Sequence, residues 1–186
     1  DVTFDACNDI MVNHSTDAIK VDSIYEAALK QDVIVNMPSD SHDELTFWLK
    51  QNGLDQTEFL LQENIQIYIW YLSNGDDTSL QLLSTLVEKY PAFNTILVKN
   101  KGIDHQWNRE LNADMKKVVK KITQLELAVM PRGEREATFI AAKAYADYIA
   151  STETGKLSVN RLKTYLSNQL DNFSQIFSLA SSSKAA

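Results

Sequence analysis

Four lysines within six residues are the sharpest chemical feature of this chain: Lys116, Lys117, Lys120 and Lys121. On a helix, residues four apart are neighbours, and each like-charge pair at that spacing costs about 0.2–0.5 kcal/mol. Apolar residues of the same stretch occupy the opposite side of such a helix. Two interpretations follow. The lysines form either a contact face for an anionic partner or a solvated face neutralised by the protein's own carboxylates.

Other basic residues follow along the chain, and they are candidate secondary contacts. Tyrosines stand among them in the sequence, at Tyr145, Tyr148 and Tyr165. Aromatic rings beside cations are typical of proteins that bind single-stranded nucleic acid, since any base can stack on a ring. Tyrosines on helical stripes, however, are more often residues of the core or of its rim. The secondary basic residues are Arg132, Arg135, Lys143, Arg161 and Lys163.

Catalytic and metal-binding motifs are missing from the sequence. It contains no Gly-x-Ser-x-Gly elbow, no phosphate-binding P-loop and no Gly-x-Gly-x-x-Gly. His14, His42 and His105 are isolated from one another, and Cys7 is the single cysteine, so neither a thiolate zinc cage nor an intramolecular disulfide can form. We therefore expect no catalytic residues, no metal and no cofactor.

Charge is divided unequally along the chain. Residues 1–98 hold four Lys and 16 Asp or Glu, a net charge of −12, whereas residues 99–186 hold 14 Lys or Arg and nine Asp or Glu, a net charge of +5. The whole-chain value of −7 conceals this asymmetry. Opposite charges attract each other or a third molecule, so the pattern concerns partners rather than chemistry.

Five Gly and three Pro in 186 residues leave little material for tight turns and favour long helices. Residues 33–40 are expected to form an extended connector, and residues 92–101 are either a short helix or a buried strand. Ser41 has the spacing of a helix N-cap, and Gly53 that of a left-handed helix end. Helices are predicted over residues 23–31, 41–52, 56–72, 79–90, 104–129, 134–151 and 158–180.

These elements predict an all-α fold: a single compact bundle of about six to eight helices, mostly antiparallel neighbours. One helical domain would span residues 1–186. Its subdivisions would be an acidic helical half at 1–101, a basic three-helix half at 102–180 and a frayed tail at 181–186.

Short landmarks resemble those of coat proteins from flexible filamentous plant viruses. They are Trp70 followed by Asn74-Gly75, then Met130-Pro131-Arg132, then Lys143 and Asp147. The resemblance covers about a third of the chain. The residues between Gly75 and Met130 do not share it. It implies a subunit that assembles and coats RNA.

The sequence as a whole predicts a non-enzymatic helical interaction module, acting as an adaptor, an immunity or regulatory factor, or an assembly subunit. Its partner would be another protein or its own copies, with Lys116, Lys117, Lys120 and Lys121 as the contact face. The alternative is a nucleic-acid-binding or RNA-coating protein, and the third reading is an enzyme whose site comes from residues distant in sequence. No apolar run could span a bilayer, so we expect a soluble protein. It would be cytoplasmic, or secreted or periplasmic if Asp1 follows a removed signal peptide.

Overall fold

The computed structural model describes residues 18–37, 42–102, 107, 110–141, 144–152 and 154–182. The chain divides into two compact units, Asp1–Ile67 and Tyr68–Ala186, which are called unit 1 and unit 2 below. Several residues singled out in the sequence lie outside the described ones: Cys7, His14, Ser41, Asp104, His105, Lys143 and the tail residues 183–186.

Unit 1 contains three short helices, α1 (Ala18–Ala28), α2 (His42–Gln51) and α3 (Thr57–Gln62). Polar contacts tie them together. The Trp48 indole donates a hydrogen bond to Asp22 over 2.9 Å, and the Tyr25 hydroxyl donates to Glu63 over 3.2 Å. Gly53 follows α2 with φ +68°, the left-handed conformation expected at that position.

Between α1 and α2, residues 32–37 form neither helix nor strand. They include three consecutive β-branched residues, Val33, Ile34 and Val35, all exposed, with Ile34 at 96%. No hydrogen bond joins residues 32–37 to another described residue. This part of the chain therefore leaves its backbone groups and its apolar side chains open to solvent.

Unit 2 is built on three parallel strands in the order β1-β2-β3. The strands are β1 (Tyr68–Ser73), β2 (Asn94–Asn100) and β3 (Thr123–Leu127). Parallel neighbours need a crossover, which α4 (Asp77–Lys89) supplies between β1 and β2, and α5 (Ala113–Lys121) between β2 and β3. Tyr71 pairs with Leu97, and Val98 with Leu125.

Helices cover both faces of this sheet. On one face, Leu83 of α4 and Val118 of α5 pack against Leu97 of the central strand. The opposite face, which carries Ile96 and Val98, packs against α8 (Lys156–Ser182). There the ring of Phe173 stacks on that of Trp70 with centroids 5.2 Å apart. Because side chains of a strand alternate between faces, β2 is apolar on both, as buried parallel strands are.

The two remaining helices, α6 (Arg132–Ala141) and α7 (Tyr145–Ala150), follow β3. Each contacts the other and α8. Residues 134–151, predicted as one helix, therefore form parts of two. The last predicted helix is present as α8, which begins two residues earlier than predicted, at Lys156.

The all-α prediction is wrong. The described residues form eight helices and a three-stranded parallel sheet, so the fold is α/β rather than a helical bundle. The error has two sources. The helix predicted at 56–72 is the short α3 followed by β1, and the helix predicted at 104–129 contains α5 followed by β3. Residues 92–101, left open between helix and strand, contain β2.

Candidate interaction surface

The four lysines lie on α5, whose sequence explains both its limits and its orientation. The Asn112 side chain caps the helix by accepting a hydrogen bond from the Met115 amide over 2.8 Å. Lysines in the last turn suit the negative end of the helix dipole. Met115, Val118 and Val119 are buried in the core of unit 2. The side opposite those three residues carries the lysines, all of them exposed.

We call Lys116, Lys117, Lys120 and Lys121 the α5 lysine surface. Two of the four lysines are paired locally. The Lys116 ammonium lies 2.5 Å from a Glu110 carboxylate oxygen, and that of Lys117 lies 2.9 Å from Asp114. Exposed pairs of this kind contribute about 0–1 kcal/mol, and added salt or a competing anion displaces them.

The C-terminal end of α5 is different. Neither Lys120 nor Lys121 forms an ion pair with any described residue. The α5 lysine surface together with Glu110 and Asp114 has a formal charge of +2, concentrated at these two residues. An anionic partner that binds at this end would compete with fewer of the protein's own carboxylates than one that binds Lys116 or Lys117.

Beside this end lies a cavity of about 510 Å³, formed at the amino ends of the three strands. Its walls are mostly apolar, from Val87, Phe93, Ile122 and other residues of unit 2. Lys121 also lines it. A partner that reached Lys121 could therefore add apolar contact to its charge interaction.

The described secondary basic residues lie on two helices that contact each other, α6 and α8. Arg132 bonds to Glu136 one turn later on α6 at 2.7 Å, and this hydrogen bond raises the pKa of Arg132. Arg135 and Lys163 are exposed, whereas Arg161 is engaged by Glu134.

Glu134, the first residue of the helix predicted at 134–151, is a buried charged residue that the sequence does not reveal. Its side chain is 3% exposed, and one of its oxygens accepts hydrogen bonds from Arg161 at 2.7 Å and from Ser158 at 2.9 Å. The hydrogen bond from Arg161 lowers the pKa of Glu134, against the opposing effect of burial. The cluster joins α6 to α8. Its partners lie 24 and 27 residues away, so no local pattern could reveal it.

The carboxyl ends of parallel strands are the usual place for ligands in α/β sheets. Here the turn after β1 is occupied by its own contacts. The Ser73 hydroxyl accepts from the Gly75 amide and from Ser79, and the Trp107 indole donates to the Ser73 carbonyl over 3.1 Å. The Lys99 ammonium lies 5.7 Å from the Trp107 ring centroid. Because these contacts fill the turn, the carboxyl end of β1 does not present an open ligand site.

Exposed apolar residues mark a further surface on α6. Phe139 is 86% exposed and Ile140 82%, and Arg135 lies one helical turn before Phe139. Helical spacing of four places a cation beside an exposed ring. Arg135 is one of the secondary basic residues that the sequence indicates, whereas the exposure of Phe139 is visible only in the structure.

Among the described residues, no group of three or more His, Cys, Asp and Glu could hold a metal ion. In the same part of the chain, no helix has the length and apolarity to cross a membrane. No family model, curated protein or solved structure matches this chain. The resemblance to viral coat proteins is thus carried by its short landmarks alone, and Trp70 of those landmarks lies in a parallel strand.

Proposed function

We propose that the protein is a non-enzymatic assembly subunit that binds acidic protein surfaces, foremost those of its own copies, through the α5 lysine surface. The observation that carries this proposal is the charge of the two units. Unit 1 has three Lys and 13 Asp or Glu, a net charge of −10, and unit 2 has 15 Lys or Arg and 12 Asp or Glu, a net charge of +3. One molecule therefore supplies both halves of an attractive pair.

Opposite charges mainly guide two surfaces together and orient them, and they add less to final affinity. A contact between different surfaces of identical copies is heterologous, so it generates rings or open chains rather than a closed twofold dimer. The exposed, unneutralised ammonium groups of Lys120 and Lys121 are the groups of the α5 lysine surface best placed to meet an acidic surface.

The test is self-association of the whole chain, followed by light scattering and sedimentation velocity. Association should weaken as salt rises from roughly 50 to 500 mM, because screening shortens the range of charge interactions. The double variant Lys120→Glu with Lys121→Glu should associate at least about tenfold more slowly at low salt, within the range of electrostatic steering.

A matched control is Lys156→Glu with Lys163→Glu. It reverses two exposed charges of the same unit on α8, away from the α5 lysine surface. The control should associate faster than the Lys120/Lys121 variant. Equal association rates for the wild type and the Lys120/Lys121 variant would contradict the proposal.

Binding of single-stranded nucleic acid is the second candidate, and the exposed Phe139 beside Arg135 favours it. A labelled uridine oligonucleotide of about 20 nucleotides is long enough to span such a site. Its fluorescence anisotropy should rise on binding at low salt, and Phe139→Ala should weaken binding more than Leu157→Ala, which truncates another exposed apolar residue. Absence of any anisotropy change at low salt would remove this candidate.

A further inference from the structure

Residues 32–37 have the composition of a strand but no strand to pair with. Val33, Ile34 and Val35 are β-branched, and such residues favour the pleated, half-buried surface of a sheet. Yet Ile34 is 96% exposed, and no hydrogen bond connects residues 32–37 to the other described residues. An exposed apolar segment with unused backbone groups is suited to addition onto the edge of a sheet.

The sheet of unit 2 offers such an edge at β3. Among the described residues, β3 pairs with β2 along one side, and no strand pairs along its other side. Thr123, Gln124 and Glu126 are exposed. β3 has five residues and the segment 32–37 has six, so the two differ in length by one residue.

Helices flank this edge on both faces of the sheet. α8 and α5 both contact β3, α8 on the face that carries Leu125. The Gln124 side chain lies on the opposite face of the sheet, where its amide donates a hydrogen bond to the Val119 carbonyl of α5 over 2.9 Å. A strand added beside β3 would therefore lie next to elements flanked by α8 on one face of the sheet and by α5 on the other.

Charge selects the direction of the added strand. Lys121 is the last residue of α5 and lies two residues before the start of β3. Asp32 is the first residue of the segment 32–37. Parallel addition places Asp32 beside Lys121 and continues the parallel pattern of the sheet. Antiparallel addition would instead place Asp32 near Glu126, which is unfavourable between like charges.

We propose that residues 32–37 of one molecule add, parallel, as a fourth strand to the outer edge of β3 in a second molecule. The inference rests on the proposed self-assembly and names its contact. The approximate register sets Ile34 opposite Gln124. Charge brings the copies together at low salt, and the strand addition holds them when the charges are screened.

The first experiment measures self-association of the whole chain at high salt, where charge interactions contribute least. Ile34→Lys should reduce the association constant at least about tenfold, because a charged side chain replaces the apolar one that the added strand buries. Leu61→Lys is the matched control, since it puts the same charge at an apolar residue of unit 1 that is 75% exposed on α3. The control should associate like the wild type.

The second experiment fixes the register. In a Cys7→Ser background, molecules with Ile34→Cys are mixed with molecules carrying Gln124→Cys and oxidised gently. A covalent heterodimer should form in several-fold higher yield than when Leu61→Cys replaces Ile34→Cys. Equal yields, a wild type that is monomeric at every concentration, or an Ile34→Lys variant that associates normally would each overturn the inference.

The two proposals fail separately. If Lys120→Glu with Lys121→Glu leaves low-salt association unchanged while Ile34→Lys abolishes it at high salt, the charge proposal fails and strand addition stands. If the lysine variant alone weakens association, strand addition fails and the charge proposal stands.

Discussion

At the scale of single residues, Glu134 shows how a charge can be kept inside this protein. Its side chain is 3% exposed, and Arg161 and Ser158 both donate hydrogen bonds to it. A buried carboxylate is tolerated only when its hydrogen bonds and an opposite charge replace the water it has lost. This cluster therefore stabilises the packing of α6 on α8 most strongly while Glu134 is ionised.

We expect Glu134→Gln to lower Tm by several degrees at neutral pH, because an amide accepts these hydrogen bonds more weakly than a carboxylate. The folded-state pKa of Glu134 is lowered. Its contribution to stability is thus complete above the ordinary glutamate pKa and is lost as pH falls through the lowered value. The difference in Tm between wild type and variant should shrink accordingly in acid.

Glu136→Gln is the control for that measurement. It makes the same chemical change on the same helix, at a carboxylate that is exposed and paired with the exposed Arg132. Its Tm should stay close to that of the wild type, as is usual for surface pairs. A drop in Tm as large as that of Glu134→Gln would show that burial of Glu134 is unimportant.

At the scale of elements, the turn that joins β1 to α4 decides how strand and helix meet. Gly75 has φ +88°, and a Cβ placed there would lie 3.1 Å from the Trp107 ring. Asp76 then caps α4 by accepting from the Ser79 amide over 2.7 Å. The turn therefore needs a residue with no side chain, for both its backbone conformation and its packing.

Gly75→Ala should destabilise unit 2 by at least about 1–2 kcal/mol, the cost of a left-handed backbone for an L-residue, before the contact with Trp107 is counted. Urea unfolding followed by Trp fluorescence measures this. Gly133→Ala is the matched control, because no atom lies within 4 Å of its added Cβ and it sits in α6. It should stabilise the protein by about 0.4–1 kcal/mol. The same destabilisation in both variants would contradict the role given to Gly75.

The elements also show why helices were predicted where strands occur. Residues 67–72 are apolar nearly all round, a pattern shared by a central helix and by a strand covered on both faces. In β1, Tyr71 packs towards α4 and α5 while Trp70 packs towards α8. The β-branched and aromatic residues of this run favour a strand, whereas the helix predicted from residue 56 continues through it.

At the scale of the whole molecule, the core of unit 2 is self-contained. Both apolar clusters of the sheet consist of residues of unit 2 alone. Helix α8 contributes Ile176 and Phe173 to one of these apolar clusters. A unit that carries its own core is expected to fold alone.

We therefore expect residues 68–182, produced alone, to unfold cooperatively in urea and to keep a near-ultraviolet circular dichroism signal from Trp70 and Trp107. Residues 68–152 lack α8 and leave one face of the sheet uncovered. They should lose both properties. A non-cooperative transition for residues 68–182 would show that unit 2 depends on unit 1.

What the sequence determined by itself is local: the presence of α4 and α8, the left-handed Gly53, the exposed lysines of α5 and the opposite charges of the chain. Helical periodicity, turn chemistry and charge are all carried by neighbouring residues. Tertiary structure alone decided that residues 68–73, 94–100 and 123–127 pair as strands, that Glu134 meets Arg161, and that no strand within the described ranges pairs with the outer edge of β3. Those outcomes depend on partners far along the chain, which no local pattern specifies.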